Sequence, residues 1–447
     1  MIKQPFISFD SFDGESFVYR EKDGQIFKTS NKQIIDSNYK TSFAISKERV
    51  KRGLEGELEL LILNLTGECN LRCKYCIYSE NYLGEAKYNP NIMNNEIAKS
   101  SINFLFSHSK KAPERIVSFY GGEPLLESNE NIFRFSVDYA LKKSQQENLP
   151  IKFALTTNGL NLNKWANWLV ENNFLLFVSL DGPEEIQDKW RGKGTFNKIY
   201  EGIQKIREIN EEYFKKNITF SSTFVNSNYL EELREFFTTN FPKNKLRVNG
   251  VKSIGLISNS KLKKEINLKG TKEKYICFAK EFTDTISNEK YPDNFLRALF
   301  DQMLLKIYHR KRGEKISPPW PTNTCIPGGK KLFVTQEGRF YPCEKINGED
   351  FCIGNIKEGV NTKKVINLLE FYASSSNDFC TNCWGPRICG SCFVSLNNAG
   401  KIDKNLREEI CPNILENLIL GLKIYTTCVV RNKPSIERYL NSIPLID

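Results

Sequence analysis

A repeated alternation of apolar and amphipathic segments dominates residues 57–257. The segments that have the pattern of buried strands are Leu58–Leu65, Arg115–Tyr120, Ile151–Thr156, Leu175–Leu180, Ile218–Val225 and Leu246–Ile254. Most of the intervals between them contain a longer helical pattern, as in Asn94–Phe106, Asn131–Gln146 and Leu162–Glu171. Strands that alternate with helices favour a parallel sheet with right-handed crossovers. Six such repeats predict an α/β fold in which the sheet curves into an incomplete barrel.

The regions on either side of this alternation have different patterns. Residues 1–56 contain the short β-prone runs Phe6–Phe12, Ser16–Arg20 and Gln25–Thr29, separated by Asp-Gly turns at 13–14 and 23–24, which predict a small antiparallel sheet. Beyond about residue 257 the alternation fades, and a Pro-rich segment at 317–321 precedes a cysteine-dense tail. We therefore predict four parts: a β-rich segment (1–56), the partial barrel (57–257), a bridging region (258–320) and the tail (321–447).

Composition excludes several classes of function. The longest apolar runs, near 60–65 and 174–180, are far shorter than the ~18 to 20 residues of a membrane span. The first residues lack the apolar core and cleavage site of a secretion signal, so we expect a cytoplasmic protein without a membrane partner. The chain has only two histidines, which disfavours histidine-rich zinc sites and Ser-His-Asp triads. The net charge of +11 is spread along the chain and predicts a basic surface.

The 13 cysteines fall into two clusters, one near the front of the chain and one in the tail. In a reducing compartment, clustered cysteines indicate metal sites more often than disulfides. The front cluster has the spacing C-x3-C-x2-C at Cys69, Cys73 and Cys76. Three thiolates without a nearby fourth fit an iron-sulfur cube with one open iron. The alternatives are a zinc loop completed by a distant cysteine, and cysteines that merely pack in the core.

The front motif resembles that of the radical S-adenosylmethionine enzymes. It combines this cysteine spacing with an aromatic residue, Tyr75, before the last cysteine, and it follows the first strand of the repeat. The resemblance covers about residues 57–257 and implies a (β/α)6 TIM-like partial barrel. It implies that Cys69, Cys73 and Cys76 hold a [4Fe-4S] cluster whose open iron binds S-adenosylmethionine. One electron then cleaves the sulfonium to a 5′-deoxyadenosyl radical, which abstracts a hydrogen from the substrate.

The same resemblance gives roles to polar residues that follow successive strands, at the edge where ligands of parallel sheets bind. Gly121-Gly122-Glu123-Pro124 is similar to the family segment that contacts the methionyl amino group. Arg191 is similar to the arginine that pairs with the methionyl carboxylate. The other residues implied to bind the cofactor are Tyr75, Thr157, Asn158, Ser179 and Asp181. For each polar residue, a role as an ordinary turn or cap is the alternative.

The tail resembles the SPASM extension of peptide-modifying radical enzymes. Its order is Cys325, Gly338, Cys343, then Cys380-x2-Cys383-x5-Cys389-x2-Cys392, then Cys411, with one residue fewer than usual in the last knuckle pair. The resemblance implies two auxiliary [4Fe-4S] clusters. The distal cluster takes Cys380, Cys383, Cys389 and Cys411, and the proximal cluster takes Cys325, Cys343 and Cys392. From spacing alone, a zinc ribbon is the alternative.

The proximal cluster is left one thiolate short. The window in which other members have a further cysteine reads Pro318-Pro319-Trp320 here. Either Cys352 or Cys277 supplies the fourth ligand, or one iron is free to bind a thiolate of the substrate, which would position that sulfur for bond formation. Cys352, in an apparent strand, and Cys428, in an apolar helical stretch, are expected in the core.

Together these resemblances predict an oxidoreductase that acts on a ribosomally made precursor peptide containing cysteine. The specific prediction is a thioether crosslink, as in the sactipeptide and ranthipeptide maturases, with electrons from a donor such as flavodoxin or ferredoxin. The alternatives within the enzyme class are an anaerobic sulfatase-maturating enzyme that forms formylglycine and a carbon-carbon crosslinking maturase. A zinc-ribbon nucleic-acid-binding protein is the alternative outside it. The N-terminal sheet is predicted either to recognise a leader peptide by strand addition or to close the barrel.

Overall fold

The computed structural model describes residues 4–30, 39–41, 43, 45–82, 88–251, 256–257, 260–313, 321–322 and 324–444. The Pro318–Trp320 window and the end of the predicted strand at 252–254 lie outside these residues. Three antiparallel strands form the N-terminal sheet: β1 (Phe6–Asp10), β2 (Ser16–Arg20) and β3 (Gln25–Lys28). Gly14 and Gly24 have φ values of +82° and +68° in the two connecting turns. A side chain is unfavourable in that conformation, so the two Asp-Gly pairs fix the turns.

Six parallel strands follow, in sequence order across the sheet. They are β4 (Leu60–Leu63), β5 (Ile116–Phe119), β6 (Lys152–Thr157), β7 (Leu175–Ser179), β8 (Ile218–Phe224) and β9 (Lys245–Gly250). The helices that precede or connect them are α1 (Lys47–Gly53), α2 (Asn95–Ser107), α3 (Glu130–Glu147), α4 (Leu162–Glu171), α5 (Glu184–Arg191), α6 (Thr195–Ile209), α7 (Glu211–Asn217) and α8 (Leu230–Asn240). The predicted α/β fold with six strand-helix repeats is confirmed.

Helices cover the sheet with a continuous aromatic and aliphatic core. Three of the four residues of β4 are buried, and all four are apolar, as expected for a parallel strand covered on both faces. Three aromatic rings pack between the sheet and the helices α3 and α4. The ring centroid of Phe133 lies 5.3 Å from that of Trp165 and 5.7 Å from that of Phe174. Such ring pairs add to the free energy gained from burial. This packing fixes the helices and leaves the carboxyl edge of the sheet to carry loops.

The sheet continues past the predicted end of the barrel. Strand β10 (Lys331–Val334) pairs in parallel with β4, and β11 (Arg339–Tyr341), β12 (Gly354–Asn355) and β13 (Gly359–Val360) follow antiparallel, giving ten strands. The tail therefore shares a sheet with the barrel, which the predicted division at residue 320 does not anticipate. Cys352 was expected in a strand; it instead follows a 3-10 helix at Glu349–Phe351 and precedes β12. Cys352 and Cys428 are both buried, as predicted.

The remaining elements are mainly helical. They are α9 (Lys261–Glu265), α10 (Thr271–Ser287), α11 (Asn294–Tyr308), α12 (Thr362–Cys380), a hairpin of β14 (Asn397–Asn398) and β15 (Lys401–Ile402), and α13 (Leu406–Ser442). Within the described residues, α13 is the one helix long and apolar enough to cross a membrane, but half of its most apolar window is buried inside the protein. It packs against α10 and α11. Its apolar residues are therefore used in the core.

The N-terminal sheet docks on the C-terminal part of the chain. The Phe12 amide donates to Thr427 Oγ1 at 3.0 Å, and Arg431 forms an ion pair with Asp13 at 2.6 Å. The Arg387 guanidinium, from the loop between two tail cysteines, donates to the carbonyls of Glu21 and Lys22. These contacts show that the sheet covers part of the tail. Leader recognition and closure of the barrel both stay predictions.

Candidate functional site

The residues predicted to bind the cofactor lie at the carboxyl edge of the parallel sheet. The cysteine loop follows β4, and the segment Gly121–Pro124 follows β5. Thr157 is the last residue of β6, and Asn158 comes directly after it. Ser179 is the last residue of β7, Asp181 lies two residues later, and Arg191 is the last residue of α5. Because neighbouring parallel strands end at the same edge, residues distant in sequence meet there. The structure thus brings the loops that carry all the predicted front-site residues to one edge.

The three front cysteines share close neighbours. Asn158 Nδ2 lies 3.5 Å from Cys69 Sγ, and the Leu71 amide donates to the same sulfur at 3.4 Å. Burial raises the pKa of Tyr88, and a hydrogen bond with Cys76 and the charges of Cys69 and Cys73 raise it further. The three thiols therefore lie within electrostatic range of one tyrosine side chain.

Burial opposes ionisation of two of these thiols. It raises the pKa of Cys69 to about 12 and that of Cys73 to about 11, although the Leu71 amide partly offsets the effect at Cys69. The same cause raises the pKa of Cys325 to about 11 and those of Cys343 and Cys380 to about 12. Thiols of this kind are protonated at neutral pH until a metal displaces the proton. They are inert alone and become ligands only with a metal.

The two glycines of the Gly121–Pro124 segment are required by the cysteine loop itself. A Cβ on Gly121, which has a φ of +148°, would lie 1.9 Å from Asn64 Oδ1. A Cβ on Gly122 would lie 1.9 Å from the Glu68 carbonyl oxygen. Any side chain at these positions would push the cysteine loop away. The glycines therefore set the position of the loop, a constraint that the sequence does not show.

Glu123 is buried at the same edge, and its carboxylate connects the segment after β5 to the loop after β6. Its carboxylate accepts from Thr157 Oγ1 and the Asn158 amide, both at 2.7 Å, and from the Leu125 amide at 3.0 Å. Burial raises its pKa to about 7, against the opposing effect of these donors. The side chain is thus occupied with the loop after β6. The Asn158 side chain is occupied in turn, because it donates to Asn70 at 2.7 Å on the cysteine loop.

Asp181, Arg191 and Tyr75 form a buried charged group. Arg191 donates to both carboxylate oxygens of Asp181, at 2.9 and 3.0 Å, and the Tyr75 hydroxyl donates to the same carboxylate. The Thr223 amide donates a further bond at 3.0 Å. Paired in this way, Arg191 uses its Nε and Nη2 on Asp181, and Nη1 is not part of this pair. The carboxylate of Asp181 holds Arg191, and its predicted contact with the cofactor stays a prediction.

In the tail, the four cysteines of the predicted distal cluster line one cavity. Cys380, Cys383, Cys389 and Cys411 come from the end of α12, the knuckle loop and the start of α13, and Arg407 lines the cavity with them. The cavity is otherwise mainly apolar, with Phe379 and Ile414 in its wall. Four thiols in a water-poor cavity provide the soft donor set that suits iron-sulfur clusters.

The other three tail cysteines form a second group. Cys392 ends the last knuckle pair, yet it is absent from the wall of that cavity among the described residues. Burial is the main cause of the raised pKa values of Cys325 and Cys343, and the charge of Cys392 adds to both. Both thiols therefore lie within electrostatic range of Cys392, as expected for the predicted proximal set of three.

The two proposed fourth ligands of the proximal cluster have different surroundings. The Cys352 thiol donates to the Gly354 carbonyl at 3.4 Å and lies beside Arg339. Cys277 is exposed on α10. The fourth ligand of the proximal cluster stays a prediction.

Some residues that the sequence patterns did not single out lie near both the front loop and Cys343. Burial raises the pKa of Tyr120, and the charges of Glu344, Cys76 and Cys343 raise it further. Glu344 Oε2 is buried without a hydrogen bond among the described residues and lies 3.6 Å from Lys331 Nζ. The charge of Glu344 also acts on Arg247. The only sequence signal for this carboxylate is its position directly after Cys343.

Comparison with known proteins supports the resemblance of the barrel region. Residues 63–237 match the Radical SAM superfamily. This region is a radical SAM domain. The chain is 26% identical over 359 residues to the cysteine-type anaerobic sulfatase-maturating enzyme of Clostridium novyi (strain NT), covering 75% of this chain and 87% of the relative. It is 30% identical over 162 residues to the serine-type anaerobic sulfatase-maturating enzyme of Bacteroides thetaiotaomicron, covering 35% of this chain and 38% of that relative.

Solved structures agree on the fold of the enzyme. The structure of native anSMEcpe with bound AdoMet and Cp18Cys peptide matches with a TM-score of 0.59 and 23% identity, over 87% of this chain and 100% of that chain. The predicted partial barrel with a cysteine-rich C-terminal extension is confirmed at the level of the fold. S-adenosylmethionine and a [4Fe-4S] cluster are the cofactors of this family, and the three half-buried thiols of the front loop suit the cluster.

Both histidines lie at helix ends, His108 after α2 and His309 after α11. The zinc-ribbon alternative for the tail stays open until the metal is analysed.

Proposed function

We propose that this enzyme modifies a ribosomally made precursor peptide by joining the sulfur of a cysteine to a carbon atom, which gives a thioether. The observation that carries the proposal is the group of three thiols at Cys325, Cys343 and Cys392. The Cys352 thiol donates to the Gly354 carbonyl, and Cys277 is exposed on α10. A cube held by three cysteines has one position for an outside ligand, and a substrate thiolate fits that position chemically.

The enzyme would hold three [4Fe-4S] clusters. Cys69, Cys73 and Cys76 would hold the one that binds S-adenosylmethionine, Cys325, Cys343 and Cys392 the proximal auxiliary cluster, and Cys380, Cys383, Cys389 and Cys411 the distal one. When bound, the front cluster and S-adenosylmethionine supply one-electron cleavage of the sulfonium and a radical that abstracts hydrogen. An electron donor such as flavodoxin or ferredoxin and a cytoplasmic location complete the proposal.

The residues of the chain have separate tasks at this site. Arg191, held by Asp181, offers its remaining Nη1 to the carboxylate of S-adenosylmethionine, a contact that guanidinium geometry suits. Glu344 lies beside Cys343 with one carboxylate oxygen free of hydrogen bonds among the described residues, so it is suited to accept the proton of an incoming substrate thiol. Tyr120 neighbours both Cys76 and Cys343, which puts the two reacting ends of the site at one edge.

Formylglycine formation is the second candidate. It is favoured by the similarity to cysteine-type and serine-type sulfatase-maturating enzymes. The peptide product distinguishes the two reactions: a thioether keeps the sulfur and loses two hydrogens, whereas formylglycine made from cysteine loses the sulfur.

The test is anaerobic reconstitution followed by reaction with two kinds of peptide. We expect brown protein with about twelve iron atoms per chain and release of 5′-deoxyadenosine after reduction with dithionite. Cysteine-containing peptides encoded beside this chain, and a cysteine peptide from a sulfatase, are then analysed by mass spectrometry. Sulfur retained with two hydrogens lost supports thioether formation; loss of sulfur from the sulfatase peptide supports the second candidate. Zinc in place of iron rejects both.

A further inference from the structure

Arg407 is a fully buried cation at the wall of the distal cavity. It is the second residue of α13 and lies one helical turn before Cys411, so both side chains share a face of that helix. Its side chain is only 1% exposed. Its charge acts on the thiols of Cys380, Cys389 and Cys392 and lowers their pKa values against the stronger effect of burial. The guanidinium therefore lies within electrostatic reach of the cysteines predicted to bind iron.

This cation has neutral partners only. Nη1 donates to Ser391 Oγ at 3.0 Å, Nη2 donates to Ser376 Oγ at 2.6 Å, and the Tyr372 ring lies 5.1 Å from Cζ. Nε is buried without a hydrogen-bond partner, and no carboxylate among the described residues forms an ion pair with Arg407. A buried guanidinium without a counter-charge is costly, because removal of an ion from water is not repaid by hydroxyl groups alone.

We propose that Arg407 is the counter-charge of the distal iron-sulfur cluster and raises its reduction potential. The inference rests on the distal cluster of the proposed function. A cube held by four thiolates carries a net negative charge, and that charge grows by one when the cluster is reduced. A nearby buried cation stabilises the reduced state more than the oxidised state, and net charge and hydrogen bonds near the sulfurs are known determinants of cluster potential. The free Nε supplies one donor for this purpose.

A merely structural role is the competing explanation. In that case Arg407 would serve only to link α12, the knuckle loop and α13 through Ser376 and Ser391. The two explanations predict different effects of replacing Arg407 by lysine. Arg407→Lys keeps the charge but cannot reproduce the forked hydrogen bonds to two serines, whereas Arg407→Gln keeps hydrogen bonding and removes the charge.

The experiment measures the potentials of the auxiliary clusters in the full-length chain. Cys69→Ala, Cys73→Ala and Cys76→Ala are combined so that the front cluster does not contribute, and the reconstituted protein is titrated with reductant under EPR detection. The reduction wave that disappears when Cys411→Ala is added belongs to the distal cluster. Arg407→Gln and Arg407→Lys are compared in this background. Arg115→Gln is the matched control, because Arg115 is also buried and held by a serine hydroxyl, Ser109 Oγ at 2.9 Å.

We expect Arg407→Gln to weaken reduction of the distal cluster about tenfold, which is ~59 mV to more negative potential for one electron. Arg407→Lys and Arg115→Gln should stay close to the parent, and the proximal wave should not move. An unmoved distal wave in Arg407→Gln with iron retained, or an equal shift in Arg407→Lys, overturns the inference. If Arg407→Gln fails to hold the distal iron, retention of that iron in Arg407→Lys supports the charge and its loss there overturns it. A wild-type chain with only about four irons would instead reject the auxiliary clusters themselves.

Discussion

The front cysteine loop and the distal cavity of the tail use the same ligand in opposite ways. The front loop presents three thiols on a single segment that Gly121, Gly122 and Asn158 hold in place from neighbouring loops. The distal cavity draws four thiols from two helices and the loop between them and closes them in an apolar wall. An incomplete set on a loop suits a ligand that enters and reacts, whereas a complete set in an apolar cavity suits electron storage. In the proposed function the same residue type would therefore serve two purposes, and the elements that hold it differ.

The largest expected difference between the two regions is seen on removing single thiols. Cys73→Ala should abolish 5′-deoxyadenosine release, because an incomplete front cluster leaves no open iron to bind S-adenosylmethionine. Cys411→Ala should lower iron by about four atoms per chain and keep 5′-deoxyadenosine release. Both are measured by iron analysis and chromatography of the reduced enzyme under anaerobic conditions.

Cys428→Ala is the control for loss of a buried cysteine, since Cys428 lies in α13 away from both groups and its sulfur is 3.9 Å from the Thr283 carbonyl. It should keep all iron. If Cys411→Ala loses 5′-deoxyadenosine release as completely as Cys73→Ala, the two regions do not have the separate functions that their geometry indicates.

The next effect concerns the carboxylate between the two regions. Glu344→Gln should reduce formation of modified peptide by about 10² to 10⁴-fold, the usual contribution of a general base, while uncoupled 5′-deoxyadenosine release continues. Glu349→Gln is the matched control, because that carboxylate is exposed and pairs with Arg339. Equal turnover of Glu344→Gln and wild type would remove Glu344 from the proposed mechanism.

The buried pair of the barrel should dominate the stability of the front region. Asp181→Asn leaves Arg191 buried without its counter-charge, and breaking a buried pair in this way costs about 3 to 5 kcal/mol. Glu211→Gln, which removes the partner of Arg207 from an exposed pair, should cost less than about 1 kcal/mol. Chemical unfolding of the two variants provides the measurement. A similar loss in both would mean that Asp181 contributes only a surface-type interaction.

The fold was predictable because its signals are local. Buried parallel strands occur in the sequence as short apolar runs. The predicted strand at 175–180 differs from β7 (Leu175–Ser179) by a single residue at its end. Asp-Gly pairs predicted both N-terminal turns for the same reason. By contrast, pairing of β10 with β4 joins residues about 270 positions apart in sequence, and no local pattern encodes such a contact. Docking of the N-terminal sheet on the tail is also a long-range contact and was likewise missed.

The candidate site was predictable in its residue types and not in its partners. Cysteine spacing marked every proposed metal ligand, because ligands must come at spacings that a loop can deliver. The attachment of Glu123 to the loop after β6 depends on burial, which spacing does not report. Arg407 was not marked by any motif. It is recognised only from its position in α13, one helical turn before Cys411 and on the same face of the helix. Residues that act through charge in a buried place need the structure to be recognised.

Glu123 predicts a pH dependence specific to the front region. Its pKa is about 7 in the folded enzyme and about 4.5 when unfolded, so between these values the folded state binds more protons than the unfolded state. Stability must then fall as pH rises from about 4.5 to about 7, by at most about 3 kcal/mol. Unfolding of the wild type and of Glu123→Gln at pH 5 and pH 8 measures it. The variant should show a smaller decrease between the two pH values; an equal decrease would assign the effect to other groups.

The smallest expected effect tests whether the N-terminal sheet belongs to the tail. Glu21 is buried and accepts from the Arg387 amide in the knuckle loop and from the Tyr19 hydroxyl, both at 3.2 Å. Glu21→Gln should lower stability by about 1 to 2 kcal/mol, since buried hydrogen bonds to a charged group are weakened. Asp13→Asn, which weakens the half-exposed pair between Asp13 of the same sheet and Arg431, should cost less than about 1 kcal/mol.

Because the sheet contacts the tail, Glu21→Gln should also speed loss of iron in the Cys69→Ala, Cys73→Ala, Cys76→Ala background, where only tail clusters remain. Iron loss at the wild-type rate in that background would separate the sheet from the clusters that it covers.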